Sequence, residues 1–212
     1  MTSLLKNVRT DQVIELPEGG SVRLIGVLDV QNVVVQGRLG LRPIRLPRAS
    51  FSRFPDYEKE SLRTVVSGCS GVHLRVETEA DSLSLAVRCT RVDYGELPSV
   101  MNSFVACVDD KIVSEQEPSP DVIEKISRDG RSCESAVIRN GSTLVFSSLG
   151  YGRKTVTIWL PQTTMVDLIG IQGSDDADVV ASARSATPRW LHYGSSISHC
   201  HSEKVHCRPG PR

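Results

Sequence analysis

Aromatic residues are scarce in this sequence: two Trp, four Tyr and four Phe make up 5% of 212 residues. The 39% of apolar residues must therefore build a core chiefly from Val, Leu and Ile. Aromatic platforms for stacking single-stranded nucleic acid are lacking as well. Charge of one sign is also missing, because 25 Lys plus Arg balance 25 Asp plus Glu. With no net field to attract polyanions or acidic membranes, neither nucleic acid nor a membrane is an expected partner. No window reaches the roughly 18 apolar residues of a membrane span. The opening stretch MTSLLKNVRTDQVIELPEGG mixes charge into each apolar run and forms no secretory signal core. A cytoplasmic protein is the expectation.

Motifs for common cofactors are absent too. There is no Walker loop, dinucleotide fingerprint, H-E-x-x-H or calcium loop, so no cofactor is expected. Six cysteines occur, Cys69, Cys89, Cys107, Cys133, Cys200 and Cys207. In a reducing compartment they stay free, and the first three lie in apolar runs as small packed side chains. His199, Cys200, His201, His206 and Cys207 include zinc-ligand types, but their adjacent pairs do not reproduce joint C-x-x-C and H-x-x-x-H spacing, so no metal site is assigned. Arg38, Arg42, Arg45 and Arg48 are expected on a solvated loop or edge strand. Asp109-Asp110 and Asp175-Asp176 are adjacent pairs whose side chains would point to opposite faces of a strand; they suit turns better than paired carboxylate catalysis.

What is present is repeated period-two patterning broken by Gly, Pro, Asp and Asn. Val72, Leu74 and Val76 share one face, and Leu83, Leu85 and Val87 repeat the pattern after the acidic turn at Glu79 to Asp81. A hairpin with one buried face is expected there. Further strands are expected at Val22–Leu28, Asn32–Gln36, Leu62–Val66, Ser103–Asp109, Ser142–Phe146, Lys154–Leu160 and Met165–Gln172. Ser119–Arg128 has Val122, Ile123 and Ile126 at helical spacing, yet suits a strand equally. Asn140-Gly141 marks a turn. Trp159 falls opposite Val156, Ile158 and Leu160, as a sugar-stacking platform or a side chain covered by a neighbouring segment.

Almost no helix is available to cover these sheets, so the expected fold is all-β: an antiparallel β-sandwich of jelly-roll type over residues 10–173. Residues 174–188, small, polar and acidic, are expected to be a linker. Residues 189–212 then begin a different kind of text.

In that last segment, Gly194-Ser195-Ser196-Ile197 within RWLHYGSSISHC resembles the first conserved block of the SGNH (GDSL-type) hydrolase superfamily. The wider phrase, with VVSGCSGVHLRV and GRKTVTIWLPQ upstream, resembles the bacterial subgroup in which a carbohydrate-esterase-2-like β-sandwich precedes the catalytic domain. The resemblance implies that Ser196 is the nucleophile, with Gly194 and Ser195 forming its turn. It also implies an α/β SGNH domain, of which 189–212 is a truncated start. The implied activity is serine ester hydrolysis, with an acetylated carbohydrate as the substrate. A hydroxyl is a weak nucleophile unless a base and oxyanion donors surround it. The oxyanion Gly and Asn blocks and the late Asp-x-x-His of the superfamily do not occur in these residues, so this chain alone is expected to turn over no ester. The alternative is a non-catalytic module that binds a glycan or docks onto a catalytic domain.

Overall fold

The computed structural model describes residues 10–57, 59–94 and 99–184. Fourteen strands among them form two seven-stranded sheets on opposite sides of one core. The first contains β1 (Asp11–Glu15), β2 (Ser21–Ile25), β5 (His73–Thr78), β7 (Phe104–Val108), β8 (Lys111–Gln116), β12 (Lys154–Trp159) and β14 (Val179–Ala181). Its order is β1-β2-β5-β12-β7-β8, with β14 on β5. The second contains β3 (Asp29–Val35), β4 (Arg38–Ile44), β6 (Leu83–Tyr94), β9 (Val122–Ile126), β10 (Cys133–Val137), β11 (Ser142–Phe146) and β13 (Met165–Gly173). Its order is β10-β9-β6-β13-β4-β3, with β11 on β6.

Alternation explains which face each strand buries. Leu24, Leu74, Val76, Ala106, Val156 and Ile158 point inward from the first sheet, meeting Leu83, Leu85, Val87, Leu144, Phe146 and Leu168 from the second. Tight turns connect neighbouring strands. Gln36-Gly37 and Asp109-Asp110 have left-handed backbone angles at both positions, the geometry that a two-residue hairpin needs.

The expected hairpin between Leu74 and Leu85 does not exist. β5 and β6 carry the predicted faces but lie in different sheets, so the chain arches over the core through 79–82 instead of turning back on itself. The same alternation satisfies either arrangement, since both bury one side of each strand. The expectation of wholly antiparallel sheets also needs correction. β9 runs parallel to β6, pairing Thr90 with Val122 and Tyr94 with Ile126.

Tertiary context overturned one local expectation and decided one that was open. Leu62–Val66 lies within helix α1 (Lys59–Ser67), where Glu60 and Arg63 pair one turn apart at 2.8 Å. Arg63 also reaches Glu124 at 2.7 Å, and the Thr64 hydroxyl lies 2.9 Å from that of Tyr94, which tie the helix to the second sheet. Ser119–Arg128, open between helix and strand, contains β9. There Val122, Glu124 and Ile126 are buried on alternate positions.

The expected linker 174–188 begins on the sheet. Residues 174–176 make a short 3-10 turn, and β14 then pairs with Val76, Glu77 and Thr78 of β5. β14 thus carries the first sheet past residue 173, to Ala181.

Candidate functional site

Gly194, Ser195 and Ser196 lie outside the described residues, as do His192, His199, Cys200, His201, His206 and Cys207. What the structure does show is how the chain leaves the β unit on its way to that block. At the end of β14 the Ala181 amide donates to Ser21 Oγ at 3.0 Å, and beyond it Ser182 N–H donates to the Arg75 carbonyl at 3.3 Å. Ala183 N–H donates to Glu77 Oε1 at 3.1 Å. Arg23 Nε donates to the Ser182 carbonyl at 2.7 Å, while Asp11 Oδ2 takes both Arg23 and Arg184 at 3.3 Å. The other oxygen of Glu77 accepts from Arg153 at 2.7 Å. That Arg153 bond, then the Ala183 amide, hold the Glu77 carboxyl below its ordinary pKa.

The outer face of the same sheet carries the only described histidine. His73 stands between Ile25 and Trp159 in cross-strand register. Its ring centroid is 4.2 Å from that of Trp159, with the planes tilted by 36°. Trp159 points away from Val156, Ile158 and Leu160 as predicted, but it is half-buried against His73. Burial lowers the His73 pKa to about 4; the backbone at Gly71 opposes this and the Arg75 charge adds to it. A neutral imidazole stacked on an indole is a packed pair at neutral pH.

The basic series is not uniformly solvated. Arg38 is bidentate to exposed Glu18 at 2.6 and 2.7 Å, and Arg48 faces Asp29 at 3.9 Å. Arg45 donates to the Val65 carbonyl near the end of α1. Arg42, however, is buried, donating to Asp167 at 2.6 and 3.2 Å. Arg88, fully buried, binds the same carboxylate at 2.9 Å and fills its other donors with the Val33 and Arg38 carbonyls and Asn140 Oδ1. Gly40 makes room for this cluster: a Cβ there would come 2.7 Å from Asp167 Cβ and 3.2 Å from the Arg88 guanidinium.

A second buried carboxylate, Asp121, sits where β9 and β11 share one edge of β6. It accepts from the Cys89 amide at 2.9 Å, Ser142 Oγ at 3.1 Å and Arg139 Nε at 3.2 Å. Neither carboxylate was singled out from sequence, although Arg88 in LAVRCT and Asp167 in MVDLIG are charges inside apolar strands. That pattern is a usable sign of a buried pair. Both clusters are internally satisfied and serve packing.

Asp109, Asp110, Asp175 and Asp176 all have positive φ and occupy turns. Cys69, Cys89 and Cys107 are buried and free, and Cys133 is half-buried and free. Burial pushes the Cys69 thiol up to about 12 and raises Cys89 and Cys107 as well. Burial followed by the Glu124 charge takes Cys133 to about 11. Among the described residues no three His, Cys, Asp or Glu are grouped to hold a metal ion. No helix among them is long and apolar enough to cross a membrane.

The described fold is thus that of a β-rich unit made of two sheets. No family model matches the chain, and no curated protein matches it by sequence. Among solved structures it shares its fold with the salicylyl-acyltransferase SsfX3 from a tetracycline biosynthetic pathway, at a TM-score of 0.60 and 19% identity. That overlay covers 84% of this chain and 43% of SsfX3, so the chain spans less than half the length of the protein it matches. A looser overlay, on a protein described as a GDSL-like lipase from Bacteroides ovatus ATCC 8483, has a TM-score of 0.47 at 13% identity over 82% of this chain and 43% of the other.

Proposed function

We propose that the chain is the β-sheet unit of an SGNH (GDSL-type) ester hydrolase, arranged as a jelly-roll-like sandwich and continuing into the first segment of the catalytic domain. The observation that carries this reading is a combination within one chain: a β unit with the fold of part of an acyltransferase, followed by Gly194-Ser195-Ser196-Ile197. In the whole architecture Ser196 attacks the ester carbonyl, a histidine takes its proton, and water releases the acyl group. An acetyl ester on a carbohydrate is the proposed substrate. The 212 residues contain no Asp-x-x-His series, and the described histidine, His73, is a neutral stacked ring. On this reading the 212 residues by themselves turn over no ester.

Reaction with a fluorophosphonate probe tests the assignment. The isolated chain leaves Ser196 unlabelled, while labelling at Ser196 at the rate of an active serine hydrolase refutes the inactivity. The second reading is a non-catalytic module that docks onto a catalytic domain, favoured by the hydrogen-bonded path of residues 181–184. Glycan binding through Trp159 gains no support, because that ring is already engaged by His73.

A further inference from the structure

Residues 179–184 are held in an unusual way for the end of a β unit. β14 is three residues long and uses only the part of the β5 edge that β2 leaves free: β2 pairs with 73–75 and β14 with 76–78. From its last residue onward the chain is caught by side chains of three other strands: Ser21 and Arg23 from β2 and Glu77 from β5 hold the backbone, and Asp11 from β1 pairs with the Arg184 side chain. Arg153 fixes Glu77 from the turn before β12. Ser182 is buried, whereas Ala183 and Arg184 are exposed, so this grip has little apolar contact behind it.

We infer that 181–184 form an electrostatic strap, closed by Glu77, Arg23 and Asp11, that opens without unfolding the sheets and so switches the outgoing chain between a held and a released path. This goes beyond the proposed activity and does not depend on it. The outer partner of each carboxylate is open to salt: the Arg184 side chain on Asp11 is 58% exposed and the Arg153 side chain on Glu77 70%, while Arg23, Asp11 and Glu77 themselves are 16%, 10% and 23% exposed. The strands on either side are locked by the shared core and are indifferent to salt. Opening the strap is therefore a local event that draws on a small part of the structure.

Site-resolved amide hydrogen exchange on the full chain tests this. In about 20 mM salt the amides of Ala181, Ser182 and Ala183 are protected, but less than those of β12. Raising the salt to about 500 mM shortens the screening length from roughly 20 Å to roughly 4 Å. The Ser182 and Ala183 amides then exchange roughly tenfold faster while β12 is unchanged. Glu77→Ala produces a loss on the order of tenfold at Ala183, the equivalent of one hydrogen bond, and Asp11→Ala speeds exchange at Ser182 and Ala183. Absence of protection at low salt overturns the strap, as does protection that salt leaves unchanged. The wild-type salt series keeps the test decisive if either variant is too unstable to measure.

Discussion

His73 gives the most quantitative prediction. Its imidazole holds a pKa of about 4 in the folded protein because burial beside Trp159 disfavours the charged ring. In the unfolded chain the value returns to about 6.5. Above pH 6.5 both states carry a neutral ring and the residue contributes no pH dependence. As pH falls from 6.5 toward 4 the unfolded state takes up a proton that the folded state refuses, so stability is lost across that window. A displacement of about 2.5 units corresponds to a total near 3 kcal/mol, of which about 2 kcal/mol is already gone between pH 7 and pH 5. With a urea m-value of about 2 kcal/mol/M, the midpoint moves down by about 1 M over that interval. The assay is urea unfolding at fixed ionic strength from pH 7.5 to 4.8, above the range where most carboxylates titrate. His73→Gln flattens the profile. The remaining histidines all fall in 192–206, and the resonance missing from the His73→Gln spectrum identifies that of His73. A wild-type midpoint constant across the window, or a His73 resonance titrating near 6.5, refutes the reasoning.

Three further outcomes follow from buried groups. Asp167→Asn leaves two buried guanidinium groups without their shared counter-charge and costs about 3–5 kcal/mol, a fall in Tm on the order of 10 °C, while exposed Asp110→Asn stays within about 0.5 kcal/mol. Gly141→Ala places a Cβ 2.9 Å from the Val87 carbonyl at a φ of +112°, and calorimetry should record a loss of about 1–3 kcal/mol. Iodoacetamide at pH 8 followed by peptide mapping leaves Cys69 and Cys89 unmodified in folded protein, since burial keeps both thiols protonated; both react in urea.

Much of the sheet architecture was legible because a strand with one face in the core writes its burial into alternate residues. Ser142–Phe146 coincides with β11, while Lys154–Leu160 and Met165–Gln172 match β12 and β13 to within a residue. Alternation says which face is buried but not which strand lies alongside. This is why Leu74 and Leu85 were assigned to one hairpin when they face each other from two sheets. α1 was hidden by the Thr-Val-Val of its second half, whose strand preference is overruled by the Glu60–Arg63 pair and the contacts to Glu124 and Tyr94. Arg42 was read as solvated because its counter-ion, Asp167, is 125 residues away in sequence. Of the candidate site, the Gly194-Ser195-Ser196 block rests on resemblance and lies outside the described residues. The grip on 181–184 was not legible, since it draws on Asp11, Ser21, Arg23 and Glu77 from three strands far from it in sequence.

The proposal at the centre of this account is that Ser196 is an SGNH-type nucleophile that turns over no ester within these 212 residues. Steady-state hydrolysis of p-nitrophenyl acetate by the purified chain, beside Ser196→Ala, tests it most directly. The account predicts a slow rate, first order in protein, unsaturated by substrate and identical in the variant. A saturable enzymatic rate that Ser196→Ala abolishes contradicts it.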